Sequence, residues 1–225
     1  MAKPTEHSPA PRGARNRLTG AMYLILFAVA ATWLLSNVQQ CTRQRIADNE
    51  LAERLKVLQA LLPTGQFDNE PHQDFIYVTS ADLLGSEKPL PVYRIRQGER
   101  PVAAIVTTVA PNGFSGKIRL LVSIDLRGQV LGLRVTSHTE TPGLGDAIEA
   151  SKSDWINGFT GLSTANPLAS EWVLDRDGGS FDRLTGATVS SRAVLGAARN
   201  AVLYFNANSA ELFSAPAVSL AEDSP

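Results

Sequence analysis

From Leu18 to Val38 the chain reads LTGAMYLILFAVAATWLLSNV, a run with no charged residue. A helix rises ~1.5 Å per residue, so roughly twenty residues cross a hydrocarbon core about 30 Å thick. The run therefore predicts one transmembrane helix over 18–38, with Tyr23 and Trp33 toward its ends as interfacial aromatics. It is long for a cleaved signal peptide. Asn37-Val38-Gln39-Gln40 fits a cleavage site poorly, and the segment before Cys41 is not a lipoprotein box. Residues 1–17, with Pro4, Pro9 and Pro11 among several charges, read as a disordered cytoplasmic tail. After the span, Ala47, Leu51, Leu55, Leu58 and Leu62 recur at three- and four-residue spacing until Pro63. That predicts an amphipathic stalk helix within 39–63, its apolar stripe packing most simply on the soluble domain.

The texture turns to β between Pro91 and Thr139. Val92–Arg96, Val102–Ala110, Lys117–Leu126 and Val130–Ser137 are rich in Val, Ile and Leu, with breaks at Gln97-Gly98, Pro111-Asn112-Gly113 and Arg127-Gly128. Breaks this short predict an antiparallel meander, because parallel strands need long crossovers. A helix is expected near Asp146–Phe159, with Asp146 as its cap. A final helix is expected over Ser191–Phe205, with Ser190 or Ser191 as N-cap. The expectation is an α+β fold: a single transmembrane helix, then a domain over 64–207 with an antiparallel sheet and packed helices, then a tail over 208–225.

With 225 residues, 44% hydrophobic and 19% charged, the chain suits one globular domain plus an anchor. A formal net charge of −1 gives no electrostatic case for nucleic acid. The single cysteine, Cys41, excludes an intrachain disulfide and any cysteine-built cluster or zinc site. With only three histidines in the chain, no metal site is expected. Lys3, Arg12, Arg15 and Arg17 before the span match Arg43, Arg45, Arg54 and Lys56 after it, so charge alone does not orient the chain. Three arginines crowd the N-terminal edge and long domains translocate largely regardless of charge, which favours a cytoplasmic N-terminus and a body outside.

Residues 182–191, DRLTGATVSS, carry the most specific chemistry. Locally, Thr185-Gly186-Ala187-Thr188 before a helix reads as a capping turn. The same turn presents the Thr188 hydroxyl among small residues at a helix start, where unpaired N–H groups and the positive dipole end suit an anion. Arg192 adds a cation suited to a phosphate. The arrangement Asp182-x-x-Thr185-Gly186-Ala187-Thr188 resembles the acceptor motif, Asp-x-x-Ser/Thr-Gly-Ala-Thr, that a flavin transferase modifies in FMN-binding domains. The resemblance implies FMN joined through its phosphate to Thr188, with Asp182 serving the transfer reaction and Thr185, Gly186, Ala187 and Ser190 around the cofactor.

The second constellation is His138-Thr-Glu-Thr-Pro-Gly-Leu-Gly145. Read locally, Pro142, Gly143 and Gly145 punctuate a strand-to-helix turn. Glu140 and Thr141 supply polar groups there, and glycines let backbone approach a flat ring. His138 is expected as a polar neighbour of the turn. The octapeptide resembles the signature of the G subunits of Rnf electron transport complexes and of the C subunits of sodium-pumping NADH:quinone reductases. Gly-Asp-Ala-Ile-Glu, Lys-Ser-Asp-Trp-Ile and the Arg-Ala-Val after the acceptor motif favour the G subunits. That resemblance covers residue 18 to about 207. It implies FMN contacts at Glu140, Thr141, Gly143 and Leu144, and an electron carrier anchored in a bacterial inner membrane with its main domain in the periplasm. Its implied partners are the membrane subunits of a complex that couples ferredoxin–NAD electron exchange to ion movement, and the flavin transferase. The other readings are a quinone-reductase subunit, a stand-alone extracytoplasmic flavoprotein, and an unmodified membrane-tethered scaffold.

Overall fold

The computed structural model of the protein describes residues 22, 26–29, 31–33, 55–63 and 67–218. It forms two units, residues 1–53 and residues 54–225. In the first, residues 22, 26–29 and 31–33 are helical, and Met22, Leu26, Phe27, Val29 and Trp33 are exposed. The rest of the expected span over 18–38, the tail over 1–17 and the stalk before residue 55 lie outside the described residues. Among the described residues no helix is long and apolar enough to cross a membrane.

The second unit is α+β. Five strands, β1 (Phe75–Ser80), β2 (Ser86–Gln97), β3 (Arg100–Ala110), β4 (Ile118–Asp125) and β5 (Val130–Ser137), form one antiparallel sheet in chain order. A four-residue helix, α1 (Ala81–Leu84), links β1 to β2 and is capped by Ser80, whose Oγ accepts from Leu83 N–H at 3.3 Å. The chain closes with α2 (Thr188–Ser214). Both faces of the sheet are covered. Val92, Val106, Leu120, Val122 and Leu133 pack in one core with Val194, Leu195, Val202 and Phe205 of α2. Ile95, Ala103, Ile105 and Leu121 pack in a second core with Leu58 and Leu61, at the end of the helical turn that opens the unit. Cover on both faces is why the last eight residues of β3 are all buried, with no polar alternation.

Four sequence expectations are corrected. The sheet has a further strand, β1, and β2 begins six residues before Val92. Pro89 and Pro91 mask that start. They are tolerated because β2 pairs with β1 alone over residues 86–91, and its ladder to β3 begins at Val92. The expected helix over Asp146–Phe159 is instead two 3-10 turns, Gly145–Ile148 and Trp155–Phe159. Between them Ser153 Oγ donates to Ala147 O at 2.6 Å, the local side-chain competition that interrupts helices. Asp146 lies inside the first of these turns, which begins after Leu144. The final helix starts at Thr188, after Ala187 at the cap position, so Ser190 and Ser191 lie inside its first turn. Their hydroxyls are drawn into tertiary and i−4 bonds, to Glu140 and to Ala187 O. Finally, α2 runs to Ser214 and buries Leu212, and Val218 N–H donates to Phe75 O at 3.0 Å, so residues 208–218 belong to the folded unit.

Candidate functional site

β5 ends at Ser137, and the turn after it is stitched to two other segments. Glu140 is 4% exposed. Its Oε1 accepts from Ser115 N–H at 3.1 Å, in the loop between β3 and β4, and its Oε2 accepts the Ser190 hydroxyl of α2. Glu140 N–H donates to His138 Nδ1 at 3.1 Å, and His138 Nε2 lies 2.7 Å from Glu149 Oε1. A Nδ1 that accepts must carry no proton, so His138 presents Nε2–H to Glu149. The hydrogen bond to His138 is the chief reason the Glu149 carboxyl sits below the usual glutamate range. Ser151 and the charge of Lys152 add to this, against desolvation. Thr141 O then accepts from Gly145 N–H at 2.9 Å, closing the turn and leaving Leu144 exposed on its outside. A Cβ on Gly145 would lie 2.8 Å from Glu140 Cβ, so the turn closes this tightly only around a glycine.

The acceptor-motif loop packs against this turn. Gly186 has φ +82°, a conformation open to glycine, and a Cβ there would meet Leu144 Cδ2 at 3.0 Å. Ala187 is buried, and Thr188, exposed only in part, is the first residue of α2. The first i→i−4 bond of the helix is Ser191 N–H to Ala187 O, which leaves the N–H groups of Thr188, Val189 and Ser190 ahead of the ladder.

The two constellations meet in one cleft of about 270 Å³, lined by Phe114, Glu140, Thr141, Leu144, Gly145 and residues 186–190. Of the residues singled out in the sequence, it gathers Glu140, Thr141, Leu144, Gly186, Ala187, Thr188 and Ser190. It leaves out Gly143 and Thr185, neither of which is on its wall. Asp182 lines a separate cavity with Trp155, Phe159 and Phe181, and its backbone O accepts from Trp155 Nε1 at 2.7 Å. Arg192, expected near a phosphate, instead holds Asp177 at 2.6 Å and lines a different groove. Phe114 and Val189 were missed. Each is an ordinary loop or helix residue in sequence, and only their solvent exposure beside Leu144 marks them. Among the described residues no group of three or more His, Cys, Asp or Glu is placed to hold a metal ion.

Residues 113–203 match the FMN-binding domain family, and residues 15–61 match the RnfG N-terminal region. The G subunit of the ion-translocating oxidoreductase complex of Shewanella loihica is 42% identical over 203 residues, 90% of this chain and 96% of the relative. Its counterpart of the same name from Pseudomonas aeruginosa is 42% identical over 89% of this chain and 94% of its own. The one from Yersinia pestis is 44% identical over 80% and 86%. A solved structure, NqrC of Shewanella oneidensis, aligns with a TM-score of 0.43 and 18% identity over 65% of this chain and 71% of that one. Residues of the cleft from Phe114 to Ser190 fall within the stretch, 113–203, that matches the FMN-binding domain family. The chain belongs to the family of G subunits of ion-translocating oxidoreductase complexes.

The residues of the cleft fit a phosphate and a flat ring. A phosphate would meet the leading N–H groups and positive end of α2, with Thr188 also lining the cleft. A flat ring finds apolar surface on Phe114, Leu144 and Val189, which are 68%, 51% and 41% exposed. Exposed large apolar groups converging on one cleft are the usual mark of a ligand surface.

Proposed function

We propose that this chain is the membrane-anchored electron carrier of an ion-translocating oxidoreductase complex, with FMN held as a phosphoester on the Thr188 hydroxyl. One observation carries the reading: Thr188 lines a single cleft with Glu140, Thr141 and Leu144, which arrive from a turn more than forty residues earlier in the chain. When bound, FMN supplies the electron transfer that no protein side chain here can perform.

The chain's own residues do the rest. Thr188 offers an oxygen at the start of a helix whose dipole favours phosphate. Gly186 leaves room for Leu144 to approach the loop closely, and the exposed side chains of Leu144, Phe114 and Val189 offer apolar surface to a ring. Glu140 and Ser190 hold the floor, setting a fixed carboxylate beside the redox group. A tether suits this task because the carrier cannot diffuse away between turnovers.

Attachment requires a flavin transferase as a maturation partner, and Asp182, Thr185 and Gly143 belong to that encounter or to the turns. Residues 18–38 form the single membrane span, with the N-terminus in the cytoplasm and residues 54–225 in the periplasm. The partners are the membrane subunits of the complex, which exchanges electrons between ferredoxin and NAD and couples this to Na⁺ or H⁺ movement. The family relationship at 42% identity supports the G-subunit role over the quinone-reductase one. Ions do not pass through this chain, because a lone uncharged helix encloses no pore.

The deciding experiment is the intact mass of the chain purified from native membranes, wild type against Thr188→Ala. Wild type is expected to carry the mass of FMN less water, and the variant none. In-gel flavin fluorescence after denaturation is expected to follow the mass. An unmodified wild-type chain in cells with an active transferase leaves the scaffold reading, and a modified Thr188→Ala chain moves the attachment to another residue.

A further inference from the structure

Beside the proposed flavin cleft lies a groove of a different character. It encloses about 780 Å³ at the end of the sheet where β2 begins and β4 starts, and its charged lining is Lys88, Lys117 and Arg119 against one carboxylate, Glu87. That local excess of positive charge sits in a chain whose formal net charge is −1. All three cations are exposed, and among the described residues none has an ion-pair partner. The arginines nearer the acceptor loop differ: Arg183 is paired with Asp175 at 2.8 Å and Arg192 with Asp177 at 2.6 Å. Unpaired like charges converging on one concavity repel one another, an arrangement that a ligand of opposite charge relieves.

The groove also leads somewhere. Ala81, Gly85, Val109 and Pro111 wall both it and a second groove of about 460 Å³ along the outer side of α2. The second groove in turn shares Val189 with the Thr188 cleft. The three cations and the cleft are thus separated by one intervening groove that shares wall residues with each. Pro89 and Pro111 stand in the walls of the basic groove, so its shape is set before anything binds.

We propose that this basic groove docks an acidic, protruding segment of the partner subunit that exchanges electrons with the Thr188 cleft. The inference rests on the electron-carrier reading above and names the surface through which that exchange is organised. Charge selects an acidic partner, and the concave, proline-walled shape selects a protruding segment over the flat face of an anionic bilayer. The shared walls place that segment's parent protein against the cleft. Electrostatic complementarity of this kind orients redox partners and speeds their encounter without a large buried area.

The test applies a carbodiimide, which joins an amine directly to a carboxylate, to the intact complex in native membranes. The expected result is an isopeptide link from Lys88 or Lys117 to an Asp or Glu of another subunit. The link should disappear in about 1 M NaCl, where screening acts beyond roughly 3 Å. In the triple variant Lys88→Glu, Lys117→Glu, Arg119→Glu, reduction and reoxidation of the bound flavin should slow roughly tenfold, since steering by charge is worth at least that factor. Flavin fluorescence on a denaturing gel should stay at the wild-type level. If the triple variant melts below wild type, the neutral Gln replacements at the same positions are read instead. Links confined to Glu87, no links at all, or unchanged exchange rates overturn the proposal. So does protection of these lysines by phosphatidylglycerol vesicles with no subunit linked. A wild-type chain without flavin defeats the Thr188 reading alone, and the cross-links then still decide whether the groove docks an acidic segment.

Discussion

Ser190, in the first turn of α2, donates its hydroxyl hydrogen to Glu140 Oε2 and joins two residues fifty positions apart. The bond ties the HTETPGLG turn to the helix that presents Thr188, and it seats a buried carboxylate on the wall of the proposed flavin cleft.

Glu140→Gln is expected to raise the midpoint potential of the flavin proposed at this cleft while leaving its proposed attachment at Thr188 intact. A fixed negative charge disfavours added electrons, and removing one several ångströms away at an effective dielectric near 20 is worth about 1 kcal/mol or more. That is roughly 40 mV or more for a one-electron step, by the relation between potential and free energy. Spectroelectrochemical titration of the two proteins measures it, and an unchanged potential would mean the carboxylate does not face the redox group.

The His138–Glu149 pair makes stability depend on acid. A carboxyl whose folded pKa is depressed adds stability above its unfolded pKa, and that stability fades as pH falls through the folded value. Glu149 is such a group, chiefly through His138. Urea denaturation between about pH 3 and pH 7, spanning the glutamate range, should therefore show unfolding free energy declining toward the acid end. His138→Gln should flatten that decline, and equal slopes in the two proteins would remove the pair from the account.

Asp74 organises the far end of α2. Arg94, 2% exposed, holds Asp74 through Nε at 2.6 Å and reaches Leu212 O at 3.3 Å. Arg96 holds the other carboxylate oxygen at 2.9 Å and donates to Phe213 O at 2.8 Å, its guanidinium 5.5 Å from the Phe213 ring. Two arginines thus cap the last carbonyls of the helix, with one carboxylate balancing them. Asp74→Ala leaves a buried cation short of its counter-charge and should cost about 3 kcal/mol, read as a lower urea midpoint. Flavin content should be unaffected, because none of these residues lines the cleft.

The helical turn that opens at residue 55 is part of the folded domain. Leu58 and Leu61 are 5% and 2% exposed on the outer face of the sheet. A chain beginning at Arg54 should therefore outlast one beginning at Thr64 in urea. Loss of two buried leucines at about 2 kcal/mol or more each sets the expected gap. Identical midpoints would show that these leucines add nothing.

Much of this was legible in the sequence, and the misses have definite causes. Three hairpin breaks, at Gln97-Gly98, Pro111-Asn112-Gly113 and Arg127-Gly128, separate strands where expected, because turn residues act locally. β1 escaped notice because Pro89 and Pro91 make the start of β2 read as loop, and only the one-sided pairing of that stretch makes it a strand. The helix expected over Asp146–Phe159 failed because Ser153 and its neighbours satisfy backbone groups in other ways. Ser190 and Ser191 carry the residue type of an N-cap, yet their hydroxyls are committed to Glu140 and to Ala187 O.

The chain order alone determined the apolar run, the meander, the small-residue turn at Thr188 and the polar turn at Glu140, since each is a property of adjacent residues. It could not say that the two turns share one cleft, that Phe114 and Val189 complete its apolar wall, or that Arg192 turns away to Asp177. Those relations depend on which faces of β5, α2 and the β3–β4 loop come together. Burial of distant side chains decides that, and no local pattern records it.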